Sequence, residues 1–395
     1  MTSLRVGILG GGQLSRLLCQ AGRRLGLEMR VLAERPTDPA VRFADVFREG
    51  STDDEESVVR FASDCDLLLF ENEFVPKPVL EALEPLGARV QPAPPVIGEI
   101  QNKLRQKRHF REAGLPTSPF VEREDGETAS AFVERARRLL EDRVVLKWAE
   151  LGYDGKGTCV ASSPAEALAF AEDALARGRP LYAEQRVDFV REVALVASRS
   201  LRGDLVTWPL VVTRQERGVC REVYGPARLF GVGEVAEREL NFWAERTGEK
   251  FRLVGTFALE IFEDREGRFW MNELAPRVHN SGHWSLDGAV TSQFENHLRA
   301  CLGLPLGRAE SLYPAFVMRN ILGPAEVSRG EPLPRPRVEA AGVSLYWYDK
   351  AEVRPGRKMA HLNAVSTEAG ELGALRDRLE KIDLEWRAAL AKERT

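Results

Sequence analysis

Glu260 and Glu273 flank a stretch, Glu263 to Arg268, that reads as the turn of a β-hairpin. Counted from a turn centre between Glu266 and Gly267, the two acids are equidistant, which sets them opposite one another on one face. Like charges so placed repel unless a cation sits between them, and carboxylate oxygens suit Mg²⁺ carrying nucleotide phosphates. Asn272 adds an amide oxygen beside Glu273. The bland alternative, a pair of solvated surface acids, is disfavoured by the apolar residues around them.

Further groups have residue types that bind anions. Gly152, Tyr153, Asp154, Gly155, Lys156 and Gly157 form a glycine-rich loop after the apolar stretch ending at Lys147. Its amides can approach phosphates closely, and Lys147 and Lys156 add cations, although the spacing is not that of a P-loop. Arg277 to Trp284 follow Glu273 as a dense polar run. Arg277 has the fork that suits phosphate or carboxylate, while His279 and His283 lack a nearby third ligand for zinc. Lys350, Arg354, Arg357 and Lys358, around Pro355-Gly356, resemble an anion clamp. Gly10-Gly11-Gly12 opens a helix whose amides could hold a phosphate. Ser15 stands at the third fingerprint position of a nicotinamide dinucleotide site, which disfavours that reading even with Glu34 ending the next strand. A structural turn, or a phosphate site for another ligand, is expected there.

These residues need elements to hold them. Residues 4–9, 29–33 and 67–70 read as strands, and Gln13 to Leu25 as a helix, giving a doubly wound parallel-sheet α/β domain of about 100 residues. Gln91 to Pro95 breaks the chain. A basic helix is expected from about Ile97 to Ala113, stopped by Gly114-Leu115-Pro116. Strands and helices alternate over 117–185, and long strands, a hairpin and a closing helix fill 186–300. Proline-rich segments lead to a last strand-rich module. The charged, helical stretch from Thr367 is expected on the surface. A chain of 395 residues suggests two or three domains. Its net charge of −4 gives no bulk attraction to nucleic acid or membrane. Five scattered cysteines without a CxxC pair fit reduced thiols in a cytosol. No signal-peptide pattern and no long apolar run is present.

Taken in order, GILGGGQL, ENE, GYDGKG, EQ, the Glu260/Asn272-Glu273 group, APRVHNSGHW with TSQFENHLRA, and RPGRKM resemble N5-carboxyaminoimidazole ribonucleotide synthetases of the ATP-grasp superfamily, from Gly7 to about His361. The resemblance implies an N-terminal α/β domain (1–100), a two-lobed ATP-grasp centre (101–305, small lobe about 117–185) and a small β-rich C-terminal module with a terminal helix (306–395). It implies that ATP meets Lys103, Lys147, Gly152 to Gly157, Glu184, Gln185, Arg186, Val187, Glu192, Gln215, Asn272 and Glu273. Glu260, Glu273 and Asn272 would hold Mg²⁺, which Mn²⁺ can replace. The ribonucleotide would meet Glu73, Tyr153, Asp154, Arg277, His279, Asn280 and Ser281, with its phosphate on Lys350, Arg357 and Lys358. Asp154, Lys156 and Arg277 would act in catalysis.

The implied reaction is attack of bicarbonate on the γ-phosphate of ATP to give carboxyphosphate, then carboxylation of the aminoimidazole nitrogen. A cytoplasmic homodimer is implied, without nucleic-acid or membrane partners. The chain departs from the family at Lys103, usually Arg, at Val212, Thr213 and Gln215, usually Glu, Asn and His, and at Ser15, Asp349 and Ala360, usually Gly. Rival readings are a formate-using glycinamide ribonucleotide transformylase, a nucleotide-binding protein without turnover and an NAD oxidoreductase.

Overall fold

The computed structural model describes residues 3–150, 152, 157–325 and 333–392. A five-stranded parallel sheet comes first, in the spatial order Val46–Glu49, Glu28–Ala33, Arg5–Leu9, Leu67–Phe70, Val90–Gln91. Its strands Arg5–Leu9 and Leu67–Phe70 are apolar and buried apart from Arg5, as parallel strands covered on both faces are. Val46–Glu49 escapes a hydrophobicity reading, being a half-exposed edge strand with polar residues.

The single basic helix expected over 97–113 is two helices, Pro94–Ile100 and Lys103–Glu112. Asn102 separates them: its side chain accepts the Arg105 N–H at 3.0 Å and starts the second helix. Prolines 94 and 95 supply a first turn that needs no donors. The second helix brings Lys103 and Lys107 toward the hairpin strand Phe269–Ala275.

A four-stranded antiparallel sheet follows, in the order Phe120–Glu122, Leu181–Gln185, Val144–Trp148, Thr158–Val160. Helices Ala129–Leu139 and Pro164–Ala176 cover it through Phe132, Val133, Ala167 and Ala171.

The largest sheet has nine strands. It starts with the 255–275 hairpin and continues through Phe189–Arg199, Val211–Glu216, Val219–Gly225, Ala315–Leu322, Lys358–Ser366 and Val343–Trp347, with Leu205–Thr207 pairing Phe189–Arg199 on the side. The strands after residue 305 therefore extend the same sheet, Glu222 pairing with Arg319 across the join.

The C-terminal helix Leu372–Lys392 does not lie free on the surface. Leu375, Leu379, Ile382, Trp386 and Leu390 are buried against this sheet. Charged residues line the other faces, which is why composition alone suggested a solvated element. Its Asp383 is fully buried, and Arg221 and Arg319 both donate to it, Arg319 Nη2 at 3.1 Å.

Candidate active site

The hairpin strands Gly255–Asp264 and Phe269–Ala275 set Glu260 directly opposite Glu273. The route differs from the symmetric count. Asp264 N–H donates to Arg268 O at 3.0 Å, so the turn centres on Glu266, one half-step earlier than expected. The Asp264 carboxylate accepts from the backbone of Glu266 and Arg268 and fixes that turn. A bulge between the Glu260 and Ile261 pairs then inserts Asn272 as an extra residue and restores the Glu260–Glu273 match.

Cations surround these acids. Lys103 Nζ lies 2.5 Å from Glu273 Oε2. Burial acts to lower the Lys103 ammonium, but Glu273, with Glu260 and Glu73, raises it above its ordinary value. Lys147 Nζ donates to Asn272 Oδ1 at 3.2 Å and pairs with Glu184. The other oxygen of Glu184 meets Lys107 Nζ at 2.8 Å, and Ser118 Oγ donates to it at 3.0 Å. Burial acts to raise Glu184, yet Lys107 and Lys147 more than offset it and hold it at about 2. Lys107 was not singled out from sequence; it is only 2% exposed and also donates to Thr117 and to Met271 O. A lysine inside a basic helix carries no sequence mark of such burial.

Arg277 and Glu73, both expected at the ribonucleotide, pair with each other through a fork, Nε–Oε2 at 2.5 Å and Nη2–Oε1 at 3.2 Å. Burial opposes both charges, but each holds the other ionised: Glu73 is lowered and Arg277 raised. His279 Nδ1 lies 2.8 Å from Ser281 Oγ and 3.3 Å from the Ser281 backbone N, and its Nε2 faces Glu260 Oε1 at 3.2 Å. Burial acts to raise Glu260, and His279, Lys103 and Lys358 lower it overall. Asn280 exchanges amide hydrogen bonds with Asn320 at 2.6 and 3.0 Å. His283 points away from this group, its Nδ1 on Gln293 Nε2 and its ring against His361, so it does not converge with His279 on a metal. Among the described residues no cluster of three His, Cys, Asp or Glu side chains fits a metal ion.

Glu192, opposite Thr213 and Phe262 in the sheet, lines a recess with Gln215, Glu260, Asn272 and His279. Burial, then the charge of Glu260, pushes its carboxyl up to about 7, and the Gln215 side chain opposes the rise.

In the 348–358 turn, Lys350 Nζ donates to Lys358 O at 2.7 Å and Arg357 Nη1 to Glu352 O at 2.7 Å. Arg354 pairs with Glu352. Asp349 holds a left-handed φ of 56°, as a glycine would, and is tied to Arg16 at 3.0 Å and Arg335 at 2.7 Å.

The glycine loop after the first strand is not a free anion site. Glu71 accepts from the N–H groups of Gly12 at 2.7 Å and Leu14 at 3.2 Å, filling the helix N-terminus with a protein carboxylate. Its own burial raises its pKa despite those bonds. A Cβ on Gly12 would lie 2.2 Å from Glu71 Oε1.

Gly152 is buried, and the Gly157 carbonyl accepts from Trp148 N–H at 2.8 Å. Tyr153, Asp154, Gly155 and Lys156 lie outside the described residues. Gln185 ends the strand Leu181–Gln185, and Arg186 and Val187 form the link to the large sheet. Arg186 N–H donates to Arg143 O at 2.7 Å. Glu260 thus lies within electrostatic reach of His279, Lys103 and Lys358, and Lys103 and Arg277 each within reach of Glu73, Glu260 and Glu273. Paired carboxylates, an amide oxygen, buried cations and a guanidinium in one recess can bind a polyphosphate beside a second anionic molecule.

The family model of a ribonucleotide synthetase preATP-grasp domain matches residues 3–101, that of an ATP-grasp domain 108–294, and that of a phosphoribosylaminoimidazole carboxylase C-terminal domain 316–374. The chain is 39% identical over 375 residues to the N5-carboxyaminoimidazole ribonucleotide synthase of Synechococcus elongatus, covering 93% of this chain and 92% of that protein. It is similar to the crystal structure of N5-carboxyaminoimidazole ribonucleotide synthetase from Thermus thermophilus, with a TM-score of 0.82, 36% identity and coverage of 95% and 98%. It is also similar to that of the Aspergillus clavatus N5-carboxyaminoimidazole synthase in complex with ADP and 5-aminoimidazole ribonucleotide, with a TM-score of 0.85, 29% identity and coverage of 97% and 99%.

Proposed function

The chain belongs to the N5-carboxyaminoimidazole ribonucleotide synthase family of ATP-grasp ligases, and on that premise we propose how its own residues carry out the reaction. It uses ATP to carboxylate 5-aminoimidazole ribonucleotide in purine biosynthesis. Bicarbonate is the carboxyl source: one of its oxygens attacks the γ-phosphorus, ADP leaves, and carboxyphosphate forms. The aminoimidazole nitrogen then bonds to the carboxyl carbon, inorganic phosphate leaves, and Asp154 takes the amine proton.

The observation that carries this reading is Glu260 facing Glu273 across a bulge at Asn272, with Lys103 and Lys147 on the same group. Two carboxylates and an amide oxygen are too few to cage a metal alone, but they suit Mg²⁺ that also takes phosphate oxygens. When bound, Mg²⁺ neutralises charge on the β- and γ-phosphates. Lys103, Lys147 and Lys156 hold the phosphates, and Glu184 holds Lys147 at its post. Gly152 to Gly157, Gln185 to Val187, Glu192 and Gln215 contact the rest of the nucleotide. Arg277, Glu73, His279, Asn280 and Ser281 orient the ribonucleotide, and Lys350, Arg357 and Lys358 take its phosphate.

The free thiols of all five cysteines fit a cytoplasmic enzyme, and no described helix is long and apolar enough to cross a membrane. The assembly is a homodimer, which sedimentation analysis tests. Release of ADP should require bicarbonate together with aminoimidazole ribonucleotide, whereas formate with glycinamide ribonucleotide should give none. Glu273→Gln should abolish ADP release while the fold remains; near-normal turnover in that variant removes the metal assignment.

A further inference from the structure

His279 stands between Glu260 and Ser281, so its ring must be held at a defined angle, yet no strand pairs with its backbone. Gln293 serves as that missing partner. It sits in the first turn of the helix Gln293–Cys301 and is completely buried. Its Oε1 accepts the His279 N–H at 2.8 Å, and its Nε2 donates to the His279 carbonyl at 2.7 Å. Both partners are backbone groups, one an obligate donor and the other an acceptor, so the orientation of the carboxamide is fixed. The second Nε2 hydrogen reaches His283 Nδ1 at 3.0 Å. One side chain therefore grips both ends of the 279–283 segment.

The helix itself is anchored beneath the hairpin. Ser285 Oγ accepts the Gln293 N–H at 3.0 Å, and Thr256 Oγ1 donates to the Gln293 carbonyl at 3.0 Å. Gly282 leaves the room this grip needs, since a Cβ there would lie 2.7 Å from Gln293 Oε1.

We propose that Gln293 is a positioning residue for ribonucleotide binding: it clamps the His279 backbone so that the ring keeps Nε2 toward Glu260 and the 277–281 loop keeps its shape. This rests on the functional reading above. Among the described residues no hydrogen bond joins Gln293 to Lys103 or Lys147, so the part of nucleotide binding those lysines supply does not run through it.

Gln293→Glu keeps an acceptor for the His279 N–H but sets a second oxygen against the His279 carbonyl and the His283 Nδ1 lone pair. Gly282→Ala removes no polar group and only displaces the carboxamide. Calorimetric titration of each variant with aminoimidazole ribonucleotide should show its Kd raised about tenfold, with the Kd for ADP measured without divalent metal within about twofold of the parent. In turnover, KM for the ribonucleotide rises more than KM for ATP. A general loss of structure would weaken both ligands together, and that outcome overturns the proposal, as does an unchanged ribonucleotide Kd. Should Gln293→Glu not fold, Gly282→Ala carries the same comparison. A parent chain that fails to bind the ribonucleotide sinks the functional reading, whereas a binding parent with unaffected variants removes only the role of Gln293.

Discussion

Glu184 shows how one buried charge sets the electrostatics of the site. It is 4% exposed, between Lys107 and Lys147. Removing one partner of a buried pair leaves the other uncompensated, so Glu184→Gln should cost about 3 kcal/mol at pH 7. The carboxyl is depressed to about 2 in the folded chain, so its contribution is complete above the unfolded value of roughly 4.3. It disappears as pH falls from there toward about 2. Urea unfolding should therefore show the gap between parent and variant shrinking as the pH is lowered from neutrality; a constant gap contradicts the depressed pKa. Arg277→Lys keeps the charge but loses the fork on Glu73. The ribonucleotide KM should rise about tenfold, with the ATP KM unchanged in steady-state assays. At this scale the sequence showed much of the acidic and cationic set, because Glu260, Glu273 and Arg277 stand in apolar or glycine-rich company. It hid Lys107 and Gln293, whose roles arise from burial and from partners 77 and 14 residues away.

At the scale of elements, local patterns were reliable where one force dominates. The apolar run Leu67–Phe70 is a buried parallel strand, and the strand, glycine turn and helix after Arg5 appear in that order. What the glycine turn holds was not legible, since Glu71 arrives from another strand. Gly12→Ala would push a methyl group into that carboxylate, and should lower stability by about 2 kcal/mol in thermal unfolding. An unchanged melting temperature would mean that the loop moves aside freely. The facing acids of the hairpin were found by counting, but the count succeeded through two compensating shifts, a turn centred one half-step early and a one-residue bulge. Bulges carry no strong sequence mark, so such a count fixes partners only when the ladder is regular.

Over the whole molecule, the basic helix was expected in one piece and the last helix on the surface, and both corrections have long-range causes. Asn102 caps a helix that must turn toward the hairpin. The last helix buries Asp383 between Arg221 and Arg319, residues more than sixty positions earlier in the chain. Asp383→Asn should therefore cost about 3 kcal/mol, seen as a lower urea midpoint, by leaving two guanidinium groups poorly compensated. A change within about half a kcal/mol would show that the cluster contributes little.

Because the Ala315–Leu322 strand is stitched to Val219–Gly225 by main-chain bonds, the chain downstream of the proline-rich 305–314 segment is no detachable cassette. A protease nicking that segment would leave two fragments zipped along a common ladder. They should co-elute under native conditions and part only in denaturant. A graft of this module from a relative would have to bring an edge that matches the Val219–Gly225 strand.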